Sequence, residues 1–129
     1  MNPPVQGVTD EDWSLVLKGM IGATTYGTAA YTAGRNAPYS IAGKTGTAQV
    51  FTVSRSERLT DKVSERLKDH SWFIAFAPAE SPRIAVAVLV ENGGFGSAVA
   101  APIARKVMDA WILGTDPPKV PKPEPEHHS

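Results

Sequence analysis

Two neighbouring apolar segments constrain the fold of this chain more than any other feature of its sequence. The first runs from Ser71 to Ala77, the second runs from Arg83 to Glu91, and a short turn containing two prolines separates them. Segments of this length and composition are typical of β-strands, and so short a connection predicts an antiparallel hairpin. Because the apolar character is continuous and does not alternate with polar residues, both faces of the sheet are expected to be covered.

Helices are predicted before and after these strands. Thr9 precedes three acidic residues, which is typical of a helix N-cap because acidic side chains oppose the positive end of the helix dipole. Apolar residues then follow at helical spacing up to a stop at Gly27, namely Trp13, Val16, Leu17, Met20 and Ile21. The second helix is predicted from Ser97 to Leu113, after a glycine-rich strand-to-helix loop. Its apolar face is expected to consist of Ile103, Val107, Ala110 and Trp111.

A third strand is predicted from Ser40 to Val53, and it carries the consecutive residues Lys44, Thr45, Gly46 and Thr47. On a strand, side chains alternate between faces while backbone N–H and C=O groups project along the edge. A glycine in such a strand indicates that another group lies close to the backbone. This segment can therefore offer a cation, two hydroxyls and main-chain hydrogen bonds to a peptide-like ligand that carries a carboxylate. An exposed strand edge without a function is the alternative interpretation of these four residues alone.

Together these elements predict an α+β fold in which two terminal helices pack on one face of a three-stranded antiparallel sheet. Residues 1–113 are expected to form the folded part. Residues 114–129 contain five prolines and no apolar periodicity, so a disordered tail is expected there. The charged residues 54–70 are expected to form a long excursion between strands, with a short surface helix near Thr60–Lys68. Nothing in the chain is left to cover the second apolar face of the sheet, which predicts a missing partner or self-association.

Composition excludes several classes of function. The 13 basic and 13 acidic residues give no reason to expect nucleic acid or an anionic membrane surface as a partner. The chain has no cysteine and only three histidines, two of them in the tail, so no metal site is expected. His70 is expected to be a surface or capping residue. The three tryptophans, Trp13, Trp72 and Trp111, are expected to anchor the core.

Several segments together resemble the C-terminal part of the class B penicillin-binding proteins, most of all the penicillin-binding protein 2 group of Gram-negative bacteria. These are Tyr26–Ala29, Ala37–Val50, Ala75–Pro78, Ala85–Gly94 and the last helix. The resemblance implies a penicillin-binding-protein/β-lactamase-like transpeptidase domain and the activity of a serine-type D,D-transpeptidase that cross-links peptidoglycan during cell elongation. It implies no cofactor. It further implies a parent protein anchored in the inner membrane, with a periplasmic catalytic domain and a SEDS-family glycan polymerase as partner.

Lys44, Thr45 and Gly46 match the Lys-Thr-Gly signature of this family, and the resemblance implies roles for these motif residues and for Thr47. Lys44 would supply positive potential in the cleft and assist proton transfer. Thr45 and Thr47 would bind the carboxylate of a peptidoglycan stem peptide or of a β-lactam, and the backbone N–H of Thr47 would be one of two oxyanion donors. Gly46 would let the ligand run antiparallel along the strand edge.

Two further signatures of this family, Ser-x-x-Lys and Ser-x-Asn, do not occur in the chain; Ser14, Ser40 and Ser64 have lysine four residues on. A hydroxyl nucleophile needs an adjacent general base. The chain alone is therefore expected to be inactive, with the upstream part of its own transpeptidase domain as partner. The alternatives are a non-catalytic binding or scaffold module of the same fold, and a fragment of a serine β-lactamase or carboxypeptidase.

Overall fold

The computed structural model describes residues 3–49 and 68–115. In chain order the elements are helix α1 (Asp10–Thr25), a π-helical segment (Ala30–Gly34), strands β1 (Ala42–Ala48), β2 (His70–Ala77) and β3 (Ile84–Val90), and helix α2 (Ala100–Leu113). The tail from residue 116, the last predicted residues of the motif strand and nearly all of the charged excursion lie outside the described residues. The short helix predicted in that excursion stays a prediction.

Helix α1 begins at the predicted cap. The Thr9 hydroxyl oxygen accepts a hydrogen bond from the Asp12 N–H at 3.1 Å, and the Asp12 carboxylate accepts one from the Thr9 N–H at 3.0 Å. This reciprocal capping box satisfies backbone donors that the first turn of a helix leaves free. At the other end the Thr24 hydroxyl donates to the carbonyl oxygen of Ile41 at 2.6 Å. Helix α1 is thereby attached to the residue that precedes β1.

The three strands form one antiparallel sheet in the order β1-β2-β3. In its register Gly46 lies opposite Trp72, and Thr45 lies opposite Phe73. Because side chains alternate along a strand, the sheet has two distinct faces, which we call the Trp72 face and the Phe73 face. Lys44 and Gly46 belong to the Trp72 face, whereas the two motif threonines belong to the Phe73 face. The predicted hairpin of β2 and β3 is confirmed.

The core lies between α2 and the Phe73 face. Helix α2 packs against β2 and β3, and most of the side chains it buries are small. The buried cluster consists of Ala29, Ala33, Ile41, Phe73, Ala75, Ala77, Ala100, Ala101, Ala104 and Met108. Small side chains let the helix approach the sheet closely, so Phe73 and Met108 can fill the space that remains.

The predicted apolar face of α2 is present, but it does not pack against the sheet. Ile103, Val107 and Trp111 are 40%, 43% and 64% exposed, and together with Ile84 they line a shallow apolar groove. The helix faces the sheet with its alanines instead, because close approach of the backbones favours small residues over large ones. Hydrophobicity alone points to the larger side chains, so it does not identify the face of α2 that packs against the sheet.

The Trp72 face is largely open, as the sequence predicted for one face of the sheet. Trp72, Ile74 and Leu89 are 42%, 41% and 64% exposed. Helix α1 contacts β1 and the π-helical segment, and its Met20 lines a shallow groove on this face with Phe76. Helix α1 therefore lies on the Trp72 face, whereas α2 packs on the Phe73 face. The two helices do not lie side by side on one face of the sheet. In the described part of the chain, neither helix is long and apolar enough to span a bilayer.

The expectation that tryptophans anchor the core is also wrong. Trp13 is 50% exposed, and Trp72 and Trp111 are exposed to the extents given above. The apolar patterns that contain these residues are real, but they belong to surfaces that nothing in the described part of the chain covers.

Candidate functional site

Strand β1 presents the motif residues at an edge of the sheet. Its one neighbour among the described strands is β2. The Lys44 side chain is exposed, and its ammonium nitrogen donates a hydrogen bond to the carbonyl oxygen of Thr45 at 2.7 Å. The strand thus combines an exposed cation with an edge to which no second described strand is paired, and strand addition of a peptide-like ligand uses such an edge.

The hydroxyl of Thr45 has a partner from an earlier part of the chain. Its Oγ1 lies 3.2 Å from Oγ1 of Thr28, which belongs to the turn between α1 and the π-helical segment. Thr47 lies two residues further along the same face and is exposed. The sequence pattern gave Thr28 no role, since it was part of a resembling segment only. No local signal places residue 28 next to residue 45.

Gly46 is enclosed from both sides of the sheet. On the Trp72 face, a Cβ at Gly46 would lie 2.2 Å from Nε1 of Trp72. On the opposite face Gly96 packs on the backbone, so that a Cβ there would lie 2.5 Å from the carbonyl oxygen of Gly46 and 2.4 Å from that of Trp72. A group does lie close to the backbone of Gly46, as predicted, and it is the protein itself. Guidance of a ligand by Gly46 stays a prediction.

The glycine-rich loop at residues 92–96 is the strand-to-helix connection that its sequence predicts. The Gly94 N–H donates to the carbonyl oxygen of Asp69 at 2.9 Å, and the Asn92 N–H donates to Nδ1 of His70 at 2.9 Å. His70 thus caps this loop, which confirms its interpretation as a surface or capping residue. The loop is attached to the beginning of β2, next to the strand that carries the motif.

Ser71 completes that attachment from inside the core. Its side chain is fully buried, and its hydroxyl donates to the carbonyl oxygen of Phe95 and accepts from the N–H of Ala100, both at 3.1 Å. A buried hydroxyl with both partners is stabilising, whereas an unpaired one would be costly. Gly96 is therefore held in a fixed position against β1.

Arg105 of α2 attaches the segment that leads into β1. Its guanidinium donates to the carbonyl oxygens of Ala33 and Arg35 at 2.9 and 2.7 Å, and its Nε lies 2.8 Å from the Asp109 carboxylate. The Tyr39 hydroxyl donates to the same carboxylate at 2.5 Å. Burial and this carboxylate together raise the pKa of Tyr39 well above its usual range. The i,i+4 spacing of Arg105 and Asp109 is the one sequence signal that points to this ion pair.

Ser40 has an adjacent carboxylate, and this pair lies away from the motif residues. Ser40 donates a hydrogen bond to Glu80 and accepts one from the N–H of Ala79 at 2.9 Å. This bond lowers the pKa of Glu80. Ser40 precedes β1, whereas Thr47 is near the end of that strand, so the pair attaches the β2–β3 turn to the segment before β1 and does not join the site. Among the described residues, no group of three metal-binding side chains lies close enough together to hold an ion.

The family model of the penicillin binding protein transpeptidase domain matches residues 2–109. The chain belongs to this family. Peptidoglycan D,D-transpeptidase MrdA of Escherichia coli (strain K12) is 40% identical over 125 residues, which are 95% of this chain and 20% of that protein. Within the family, the chain is similar to MrdA, which is to say to penicillin-binding protein 2.

Solved structures agree with this assignment. Penicillin-binding protein 2 of Pseudomonas aeruginosa, in complex with WCK 5153, is 41% identical with a TM-score of 0.66, covering 87% of this chain and 24% of that one. An imipenem acyl-enzyme complex of Mycobacterium tuberculosis penicillin-binding protein A is 38% identical, with a TM-score of 0.58 and coverage of 81% and 20%. A complex of Helicobacter pylori penicillin-binding protein 2 with MreC is 26% identical, with a TM-score of 0.65 and coverage of 88% and 20%.

The chain spans about a fifth of the length of the E. coli relative. Its fold is therefore that of one part of a penicillin-binding-protein transpeptidase domain. The three-stranded antiparallel sheet with its helices, predicted from sequence, is confirmed as such a part.

Proposed function

We propose that this chain is the C-terminal, Lys-Thr-Gly-bearing part of a peptidoglycan D,D-transpeptidase that cross-links stem peptides during cell elongation. The observation that carries the proposal is the motif strand itself. In a chain of this family, β1 offers the ammonium of Lys44 and the hydroxyls of Thr45 and Thr47 beside an edge to which no second described strand is paired. Those groups match the needs of a ligand that combines an extended peptide backbone with a terminal carboxylate.

Each motif residue has a proposed task. Lys44 supplies positive potential for the carboxylate of the terminal D-Ala and assists proton transfer to the leaving amine. Thr45 and Thr47 donate hydrogen bonds to that carboxylate. The Thr47 N–H stabilises the oxyanion that forms when the carbonyl is attacked, and removal of one such donor typically costs about 2.7–4 kcal/mol of transition-state stabilisation.

The nucleophile is supplied by another part of the same protein. In the proposed reaction a serine hydroxyl attacks the D-Ala–D-Ala carbonyl, the terminal D-Ala leaves as the amine, and an acyl-enzyme ester remains. An amino group of a neighbouring stem peptide then attacks the ester and releases the serine. The family signatures that provide this serine and its bases do not occur in the chain. We therefore propose that the chain alone does not acylate.

The ligands and partners of the relatives extend the proposal. Penicillin-binding protein A of M. tuberculosis forms an acyl-enzyme with imipenem, which favours β-lactams as ligands of the motif strand in this chain. Penicillin-binding protein 2 of H. pylori binds MreC, which favours a similar partner for the parent of this chain. We also propose that the parent is anchored in the inner membrane, acts in the periplasm and works with a SEDS-family glycan polymerase.

Acylation by a fluorescent penicillin tests the proposal. The chain is assayed alone and after mixing with the upstream part of the transpeptidase domain, and covalent label is read on a denaturing gel. We expect no label on either piece alone and label on the upstream piece after mixing, with loss of that label when Lys44 is replaced by Ala. Label on this chain alone would reveal an unrecognised nucleophile and refute the proposal. Failure to label after mixing, with a stable complex present, would favour a non-catalytic scaffold of the same fold.

A further inference from the structure

The contact between Thr28 and Thr45 joins the motif to a residue outside it. The two hydroxyl oxygens are 3.2 Å apart, although the residues are separated by 17 positions in the chain. Either hydroxyl could be the donor in this hydrogen bond. Thr45 is half-buried and Thr28 is exposed, so the pair lies where the protein meets solvent beside the motif strand.

The backbone on both sides of Thr28 is fixed against α1. Gly27 donates its N–H to the carbonyl oxygen of Gly22 at 2.9 Å, and a Cβ at Gly27 would lie 2.9 Å from Cα of Ala23. Ala29 is fully buried and donates its N–H to the carbonyl oxygen of Ala23 at 2.9 Å. Thr28 therefore lies between two residues whose backbones are hydrogen-bonded to α1, and its β-branched side chain has few rotamers. Its hydroxyl is held in place before any ligand arrives.

The chemistry of two adjacent hydroxyls depends on which one donates. A threonine hydroxyl has one proton and two acceptor lone pairs. If Thr45 donates to Thr28, its proton is not available to a ligand. If Thr28 donates to Thr45, the proton of Thr45 is free to bind an acceptor on the ligand side. A carboxylate at that position favours the second arrangement, because a charge-assisted hydrogen bond is stronger than a neutral one and successive hydrogen bonds polarise each other.

We propose that Thr28 is a positioning residue for carboxylate recognition: it donates its proton to Oγ1 of Thr45 and thereby directs the single proton of Thr45 toward the ligand carboxylate. This inference rests on the function proposed above, since it assigns Thr45 the carboxylate. It adds to the site a residue that does not touch the ligand and acts through Thr45.

The test compares two ligands that differ only in the carboxylate. Second-order acylation constants are measured for a penicillin and for its methyl ester, with the chain assembled with the upstream part of the domain. Thr28→Val keeps the shape of the side chain and removes its proton, and Thr28→Ser restores the hydroxyl. Thr25→Val is the matched control, because the Thr25 hydroxyl donates to the Ile21 carbonyl oxygen of its own helix at 3.0 Å.

We expect Thr28→Val to lower the constant for the penicillin by about three- to tenfold, the range expected from one hydrogen bond, and for the methyl ester by less than about twofold. Thr28→Ser should recover the penicillin value to within about twofold, and Thr25→Val should leave both constants unchanged. In Thr45→Val, adding Thr28→Val should have little further effect, because residues that act as a unit are not additive.

Three results would overturn the inference. Equal losses for both ligands would mean that Thr28 merely shapes the turn. An unchanged acylation constant for the penicillin in Thr28→Val would mean that Thr28 does not direct the proton of Thr45. Additive losses in the double variant would mean that Thr28 binds the carboxylate itself. If instead the wild-type assembly does not acylate, or Thr45→Val has no effect, it is the proposed function that fails. Should Thr28→Val not fold, as judged by circular dichroism, the comparison of the two ligands is made with Thr28→Ala.

Discussion

Gly96→Ala is the sharpest test of how the motif strand is held in place. A Cβ at this position would lie 2.4 Å from the carbonyl oxygen of Trp72, 2.5 Å from that of Gly46 and 3.0 Å from the N–H nitrogen of Gly46. Ordinary van der Waals contact for such atoms begins at 3.4 Å. All three atoms belong to the backbone, so no flexible side chain can yield. Either the loop or the β1–β2 ladder must move by about 1 Å, since 3.4 Å exceeds 2.4 Å by that amount.

A displacement of this kind should cost stability and disturb the site together. Overpacking of a well-packed region typically costs about 1–3 kcal/mol, and we expect the free energy of unfolding to fall by that amount. The movement would reach the backbone next to Thr47, so acylation of the complemented assembly should also fall. Stability is measured by urea unfolding followed by circular dichroism, and acylation with the fluorescent penicillin.

Gly19→Ala is the matched control for Gly96→Ala. Gly19 lies within α1, is exposed, and would place a Cβ with nothing within 4 Å. Since alanine favours helix over glycine, this variant should gain about 0.5–1 kcal/mol and acylate normally. A free energy of unfolding for Gly96→Ala within about 0.3 kcal/mol of the wild-type value would contradict this prediction, because that difference is well below the cost expected from such a contact. Unchanged acylation in a destabilised Gly96→Ala would contradict it as well.

Three further predictions concern stability. Arg105→Ala should lower the free energy of unfolding in urea by about 1.5–3 kcal/mol, because its charged hydrogen bonds to two carbonyl oxygens are lost; a wild-type value for this variant would contradict the contacts. The pKa of Tyr39 is raised by burial and by Asp109, so at high pH the native state keeps a proton that the unfolded chain releases. The free energy of unfolding should therefore fall as pH rises above the usual tyrosine pKa of about 10. Tyr39→Phe should make the free energy of unfolding less dependent on pH in this range. The hydrogen bond from the Thr9 N–H lowers the pKa of Asp12. The stability that the ionised Asp12 carboxylate contributes should therefore be lost as pH falls through that lowered pKa, and Asp12→Asn should not show this acid dependence.

The features that sequence predicted correctly are those with local causes. The hairpin of β2 and β3 followed from two apolar runs and a short turn, and the cap of α1 followed from Thr9 and the acidic residues after it. The motif strand was placed by four residues and confirmed as β1. In each case the information lies in one continuous stretch of the chain, the longest of which runs from Ser71 to Glu91.

The errors and omissions have a common physical cause, which is packing between distant segments. The face of α2 that packs against the sheet was not identified, because alanines are buried there and the larger residues stay outside, an outcome decided by the distance between helix and sheet. The contact between Thr28 and Thr45 forms only when the turn after α1 packs against a strand residue 17 positions further along the chain. The enclosure of Gly46 requires both the β1–β2 register and the placement of Gly96 by the buried hydroxyl of Ser71.

The carboxylate-binding half of the proposed site is positioned from within this chain. Thr45 is contacted by Thr28 from the segment before the strand, and Gly46 is enclosed by Trp72 and Gly96 from the segments after it. Neither contact needs a residue beyond those described. The geometry of the motif strand can therefore be formed before the nucleophile is supplied. A chain that lacks the nucleophile should still bind the carboxylate of a penicillin weakly and without reaction, and that binding separates the assembly of the site from its chemistry.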